Sequence, residues 1–179
     1  KKELKQIKDE FGDERCSEII EHSESKAFSQ EEIISAEPVT VVLSQAGWIR
    51  SAKGHDINPE TLAFRGDDAL KHFANGRNNQ MANFFDSTGK VFSISAHTLP
   101  SARGMGEPIT GRISAESGVS FQGVIIGNDD QTFVISNTSG YGFISEISNV
   151  VSTKKTGKNF IKIPNEADLI PPILIKDHH

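Results

Sequence analysis

The 179-residue sequence holds a single cysteine, Cys16, so no internal disulfide can form and no thiolate metal site can be assembled from it alone. That fits a reducing compartment. Long apolar runs are missing as well: the stretch from Ile170 to Ile175 is broken by Pro171 and Pro172 and falls far short of the roughly 20 residues a membrane span needs. The chain opens Lys-Lys-Glu-Leu, with no initiator Met, apolar leader or cleavage site, which reads as the interior of a longer polypeptide. Enzyme motifs are scarce. The sequence has no Gly-x-Ser-x-Gly elbow, Walker-type phosphate loop, His-Glu-x-x-His or Cys-x-x-Cys. Arg103-Gly104-Met105-Gly106 starts like a dinucleotide fingerprint but lacks its third glycine and its helix, so it reads as a loop. Asp67-Asp68 and Asp129-Asp130 are carboxylate pairs, but each lies beside Gly66 or Asn128 and reads as a solvated turn. The six histidines, at 22, 55, 72, 97, 178 and 179, show no spacing that would bring two onto one metal, and the closing His178-His179 is given no weight.

An excess of positive charge is also lacking, since the formal net charge is −5. The acidity is local. Residues 1–46 hold 6 Lys or Arg against 11 Asp or Glu, whereas residues 47–179 hold 13 of each. A neutral region can still bind a polyanion where its cations gather on one surface.

Two textures divide the chain. Leu4, Ile7 and Phe11 follow a helical period and predict a helix over residues 1–22, weakened at Gly12. The Ser-rich acidic stretch 23–37 reads as a linker ending at Pro38. Beyond it, three segments repeat one plan of strand, Gly-containing turn and strand: Val39–Ser44, Gly47, Trp48–Ser51; Met81–Asp86, Gly89, Lys90–Ser95; and Thr132–Asn137, Gly140, Tyr141–Glu146. The turn glycines stand 42 and 51 residues apart, the size of a propeller blade. A second register runs in step: Arg103 and Lys154 lie 14 residues after their turn glycines, Gly106 and Gly157 lie 17 after, and apolar strands are expected at 109–113 and 160–163. Further strands are expected at 68–73, 119–126 and 168–175. Such units cannot bury an apolar face singly, so neighbours must stack.

Trp48 and Tyr141 share the position after the turn glycine, where packing against a neighbouring blade outweighs stacking on a base; Lys90 stands there in the middle unit. The feature with functional promise is the set of cations in the outgoing strands and the loops after them: Arg50, Lys53, Lys90, Arg103, Arg112, Lys154, Lys155 and Lys158. They either converge on a rim that tracks phosphates, with loop glycines admitting backbone N–H groups, or are ordinary solubilising charges. Pattern alone does not separate the two.

Resemblance does. Phe11-Gly12-Asp13-Glu14-Arg15 with Ser17-Glu18-Ile19 resembles the end of the coiled coil of type IIA topoisomerase A subunits. Glu37 to Ser44, continuing through Gly47-Trp48-Ile49-Arg50-Ser51-Ala52-Lys53-Gly54-His55-Asp56-Ile57, is similar to the first blade of the C-terminal domain of bacterial topoisomerase IV A subunits. Asp86-Ser87-Thr88-Gly89, Thr98 to Gly104, Gly106 to Gly111 and Gly140-Tyr141-Gly142-Phe143 continue it in order. The resemblance implies an all-β fold: a β-pinwheel arc of about three four-stranded antiparallel blades behind an N-terminal helical arm. It assigns 1–37 to the end of the coiled coil and an acidic linker, and 38–179 to part of the pinwheel domain. It implies duplex DNA on an outer rim bearing the eight cations, in a cytoplasmic, nucleoid-associated parent isomerase that uses ATP and Mg2+. The cofactors, the cleaving tyrosine, and the contacts with a second A subunit or with the topoisomerase IV B subunit belong to regions outside this stretch. No cofactor and no catalytic group is expected within it. The gyrase box Gln-Arg-Arg-Gly-Gly-Lys-Gly has no counterpart between His55 and Gly66, which favours decatenation and relaxation over supercoiling. A protein-docking propeller, with a partner such as a condensin-type complex, is the competing reading.

Overall fold

The computed structural model describes residues 1–12 and 35–175. Within the first range, α1 (Lys2–Phe11) is helical, as Leu4, Ile7 and Phe11 predict, and buries none of its side chains. The rest of the expected helix and most of the linker lie outside the described residues.

Three hairpins organise the second range: β1 (Pro38–Ser44) with β2 (Trp48–Lys53), β4 (Met81–Asp86) with β5 (Lys90–Ser95), and β8 (Thr132–Asn137) with β9 (Gly142–Glu146). Their turns close in one way. The glycine N–H donates to the carbonyl three residues back, at 3.1 Å in all three, and the glycine takes a φ of +78°, +85° or +84°. The residue three before the glycine caps the turn by its side chain: Ser44 Oγ accepts from the Trp48 N–H at 3.0 Å, Asp86 Oδ1 from those of Thr88 and Lys90 at 2.9 Å, and Asn137 Oδ1 from those of Ser139 and Tyr141. Short polar side chains before a left-handed glycine thus define the repeat chemically.

Each hairpin then acquires strands from further along the chain. β3 (Leu70–Arg77), β7 (Phe121–Ile126) and β11 (Leu169–Leu174) add to β1, β4 and β8, respectively. β6 (Glu107–Pro108) returns from beyond the second hairpin to pair with β2, and β10 (Lys158–Asn159) returns from beyond the third to pair with β5. The sheets therefore run β3-β1-β2-β6, β10-β5-β4-β7 and β11-β8-β9. This exchange of outer strands makes the fold a β-pinwheel. Two sheets have four strands; the third has three, because among the described residues nothing pairs with the outer edge of β9. The strands expected at 109–113 and 160–163 are instead a short helical turn and an irregular stretch, each following a two-residue strand. The Ile109 N–H is turned onto the Gly47 carbonyl, and the Phe160 and Ile161 N–H groups both donate to the Gly89 carbonyl, so these backbones leave the ladder.

Sheet stacking explains the composition of the strands. Val39, Val41, Leu43, Ile49 and Ala74 of the first sheet pack against Ala82, Phe84, Phe92, Val124 and Ile126 of the second. The opposite face of the second sheet, with Phe85, Val91 and Ile125, meets Phe133 and Ile135 of the third. Being covered on both sides, the second sheet reads as near-continuous apolar runs rather than alternation. The far face of the third sheet carries a cross-strand row, Ile173, Val134 and Ile144, that is 65%, 38% and 63% exposed.

Where the first and second sheets meet, β3 lies against β7, and the Val124 N–H donates to Nδ1 of half-buried His72 at 3.3 Å. Burial pushes the His72 pKa below its ordinary value. The unfolded chain therefore takes up a proton below about pH 6.5 that the folded chain refuses, so the contribution is intact above that pH and is lost as pH falls toward the lowered pKa. Urea midpoints measured between about pH 5 and 7.5 should decline on acidification, and less steeply in His72→Gln. Parallel pH profiles for the two proteins would rule this out.

Candidate nucleic-acid interface

Successive residues of a strand face opposite sides, so Trp48, Arg50 and Ala52 of β2 share the face turned away from the second sheet. The connection from β2 to β3 covers that face. Phe64 places its ring 4.6 Å from the Arg50 guanidinium, and Arg65 lies 5.4 Å over the ring of Trp48. Arg50 is only 3% exposed and donates from Nη1 to the Gly104 carbonyl at 3.1 Å, while its Nη2 has no partner among the described residues. Burial pushes its pKa down and the nearby Asp68 carboxylate opposes that shift. Arg50 thus lies beneath the surface, fastening the 99–106 segment to β2, rather than on a rim.

The other seven cations fall into two groups. Arg112 pairs through Nε with Glu107, and its terminal nitrogens donate to Thr98 Oγ1 at 2.8 Å and to the Thr98 carbonyl at 2.6 Å. Lys90 pairs with Glu116; the hydrogen bond between them raises the lysine pKa and lowers that of the glutamate. Lys53 lies 3.3 Å from Glu37, an exposed pair of the kind that contributes little, and Lys158 Nζ donates to the Asn149 carbonyl at 2.7 Å. Arg103, Lys154 and Lys155 are exposed and have no ion-pair partner among the described residues.

Grooves bring several of these together. Lys53 and Arg103 line one of about 490 Å3. Arg112, Lys154 and Lys155 line another of about 440 Å3, and Lys154 and Lys158 a third of about 450 Å3. Lys90 and Arg50 line none of the three. Sequence reasoning missed Arg65, whose aromatic support comes from Trp48, 17 residues earlier; no local pattern signals that pairing. Tyr141, expected to pack against a neighbouring blade, is 70% exposed. Among the described residues, no three His, Cys, Asp or Glu side chains gather as a metal site, and no helix is long and apolar enough to cross a membrane.

No protein-family model matches the chain. Curated proteins do. The chain is 43% identical over 177 residues to the A subunit of DNA topoisomerase 4 from Pseudomonas aeruginosa, and 41% identical over 179 residues to its counterpart from Salmonella typhimurium. These alignments cover 99% and 100% of the chain but 24% of each relative, so the chain spans about a quarter of their length. Among solved structures, the Escherichia coli ParC C-terminal domain superposes with a TM-score of 0.73 at 42% identity, covering 79% of this chain and 58% of that one.

Proposed function

Because this chain belongs to the family of topoisomerase IV A subunits, with its counterpart in the C-terminal part of those proteins, we propose that it holds duplex DNA without reading base sequence. In the longer protein it would present that DNA to catalytic regions that decatenate and relax it by ATP-dependent strand passage. The observation that carries this reading is the placement of Arg103, Lys154 and Lys155: exposed, unpaired among the described residues, and in segments that return after successive hairpins. Cations without internal carboxylate partners keep their charge available to phosphates, and release of condensed counterions then drives association.

In this reading ATP and Mg2+ act in other regions of the longer protein. The contacts with a second A subunit or with the topoisomerase IV B subunit belong to the same proposal, as does the placement in the nucleoid-bearing cytoplasm. A second reading, docking of a protein partner such as a condensin-type complex, draws on the exposed row Ile173, Val134 and Ile144.

Fluorescence anisotropy with a labelled duplex of arbitrary sequence tests the first reading. Affinity should fall steeply with salt, the log–log slope steepening by about 0.9 for each phosphate contacted, and should not depend on base sequence. Absence of binding at low salt would sink it. A protein complex insensitive to salt and lacking DNA would favour the second reading.

A further inference from the structure

Two of the grooves are one construction used twice. The first lies where the end of β2, at Ala52 and Lys53, meets Ser101, Ala102 and Arg103 of the segment returning from the second hairpin. The second lies where β5, at Ser93 and Ile94, meets Thr153, Lys154 and Lys155 of the segment returning from the third. Ala52 and Ile94 occupy the same position after their turn glycines, as do Arg103 and Lys154.

The local geometry repeats with the sequence. The Arg103 N–H donates to Ser101 Oγ and the Lys154 N–H to Ser152 Oγ, both at 3.4 Å. Each returning segment is also stitched to the outgoing strand beneath it. The Ser51 N–H donates to the Pro100 carbonyl at 2.8 Å and the Ala102 N–H to the Ser51 carbonyl at 2.9 Å; in the next unit the Ser152 N–H donates to Ser93 Oγ at 2.9 Å. The cation therefore stands on an anchored turn, and among the described residues neither groove is lined by an Asp or Glu. A concave wall carrying one sign of charge concentrates its field and lowers the ordering needed to hold an anion.

We propose that each of these seam grooves seats a backbone phosphodiester of a bound duplex, through Arg103 in the first and Lys154 in the second, so that phosphate contacts recur once per strand exchange. The proposal rests on the duplex-binding reading and narrows it. Lys90 lines neither groove and pairs with Glu116, and Arg112 of the second groove pairs with Glu107, so the proposal places the phosphate on Arg103 and Lys154 instead.

The test is anisotropy with a labelled duplex at a series of salt concentrations, using the whole chain and its Arg103→Ala, Lys154→Ala, double and Lys71→Ala variants. Lys71 is an exposed cation of β3 that lines neither groove. Arg103→Ala and Lys154→Ala should each weaken binding by roughly five- to tenfold and flatten the salt slope by about one, the double variant by about two, with Lys71→Ala unchanged. Urea midpoints of the variants confirm that folding is intact; should either alanine variant unfold, Arg103→Gln or Lys154→Gln takes its place. Equal loss of slope in all three single variants would show diffuse attraction and overturn the seam assignment while duplex binding stands. An unchanged slope in Arg103→Ala and Lys154→Ala overturns it too. Absence of binding by the unaltered chain removes both this proposal and the reading beneath it.

Discussion

Replacing Phe85 by alanine should lower stability by about 3–5 kcal/mol, a large part of the roughly 5–15 kcal/mol that a domain possesses. Phe85 is fully buried and its ring meets those of Phe133 and Phe160 at centroid distances of 6.0 and 6.1 Å, joining the second sheet, the third sheet and the segment beyond β10. Truncation leaves a cavity where three separately anchored pieces of chain converge, so none can close it without giving up its own hydrogen bonds. The drop would be read as a lowered urea midpoint. A loss below about 1 kcal/mol would mean that the two sheets do not share this core.

The second large effect comes from two glycines that look alike in sequence. Gly89 and Gly140 both close hairpins with φ near +85°. Among the described residues a Cβ on Gly140 meets nothing within 4 Å, whereas one on Gly89 would overlap the Ile161 carbonyl oxygen. Gly140→Ala should therefore cost only the backbone term, about 1–2 kcal/mol. Gly89→Ala should cost about 3 kcal/mol or more, because it also forces Phe160 and Ile161 off the Gly89 carbonyl they both donate to. The difference between the two midpoints measures the strand exchange itself, and equal midpoints would deny that the returning segment contributes there.

The hairpins were legible because their signal is local: a short polar residue three before a left-handed glycine, between β-branched and aromatic runs. The spacing of Arg103 and Lys154, and of Gly106 and Gly157, was legible for a related reason. These glycines are required by close approach, Gly106 to the Ile49 carbonyl and Gly157 to the Phe92 ring, so the sequence register carries a record of the packing. The exchanged strands were not legible. β6 and β10 are two residues each, too short to carry an alternation, and their partners lie 58 to 69 residues back in the sequence. For the same reason the apolar residues after them, Ile109 to Ile113 and Phe160 to Ile163, read as strands when the first is a short helical turn and the second is irregular.

The cations show the limit more sharply. Composition treats Arg50 and Arg103 alike, yet one is buried under Phe64 and the other is exposed. Burial of Arg50 depends on the fold of residues 54–66, a segment with no repeat partner to compare. Pairing of Lys90 with Glu116 and of Arg112 with Glu107 depends on loop paths that strand periodicity does not encode.

Among the described residues, neither four-stranded sheet is a continuous stretch of polypeptide. During synthesis the first hairpin would emerge from the ribosome and wait until residues 107 and 108 follow before its outer edge is closed, by which time the second hairpin is already out and unfinished in its turn. In both sheets completion lags one unit behind emergence, so the outer edge of each hairpin stays bare until the next hairpin has been made.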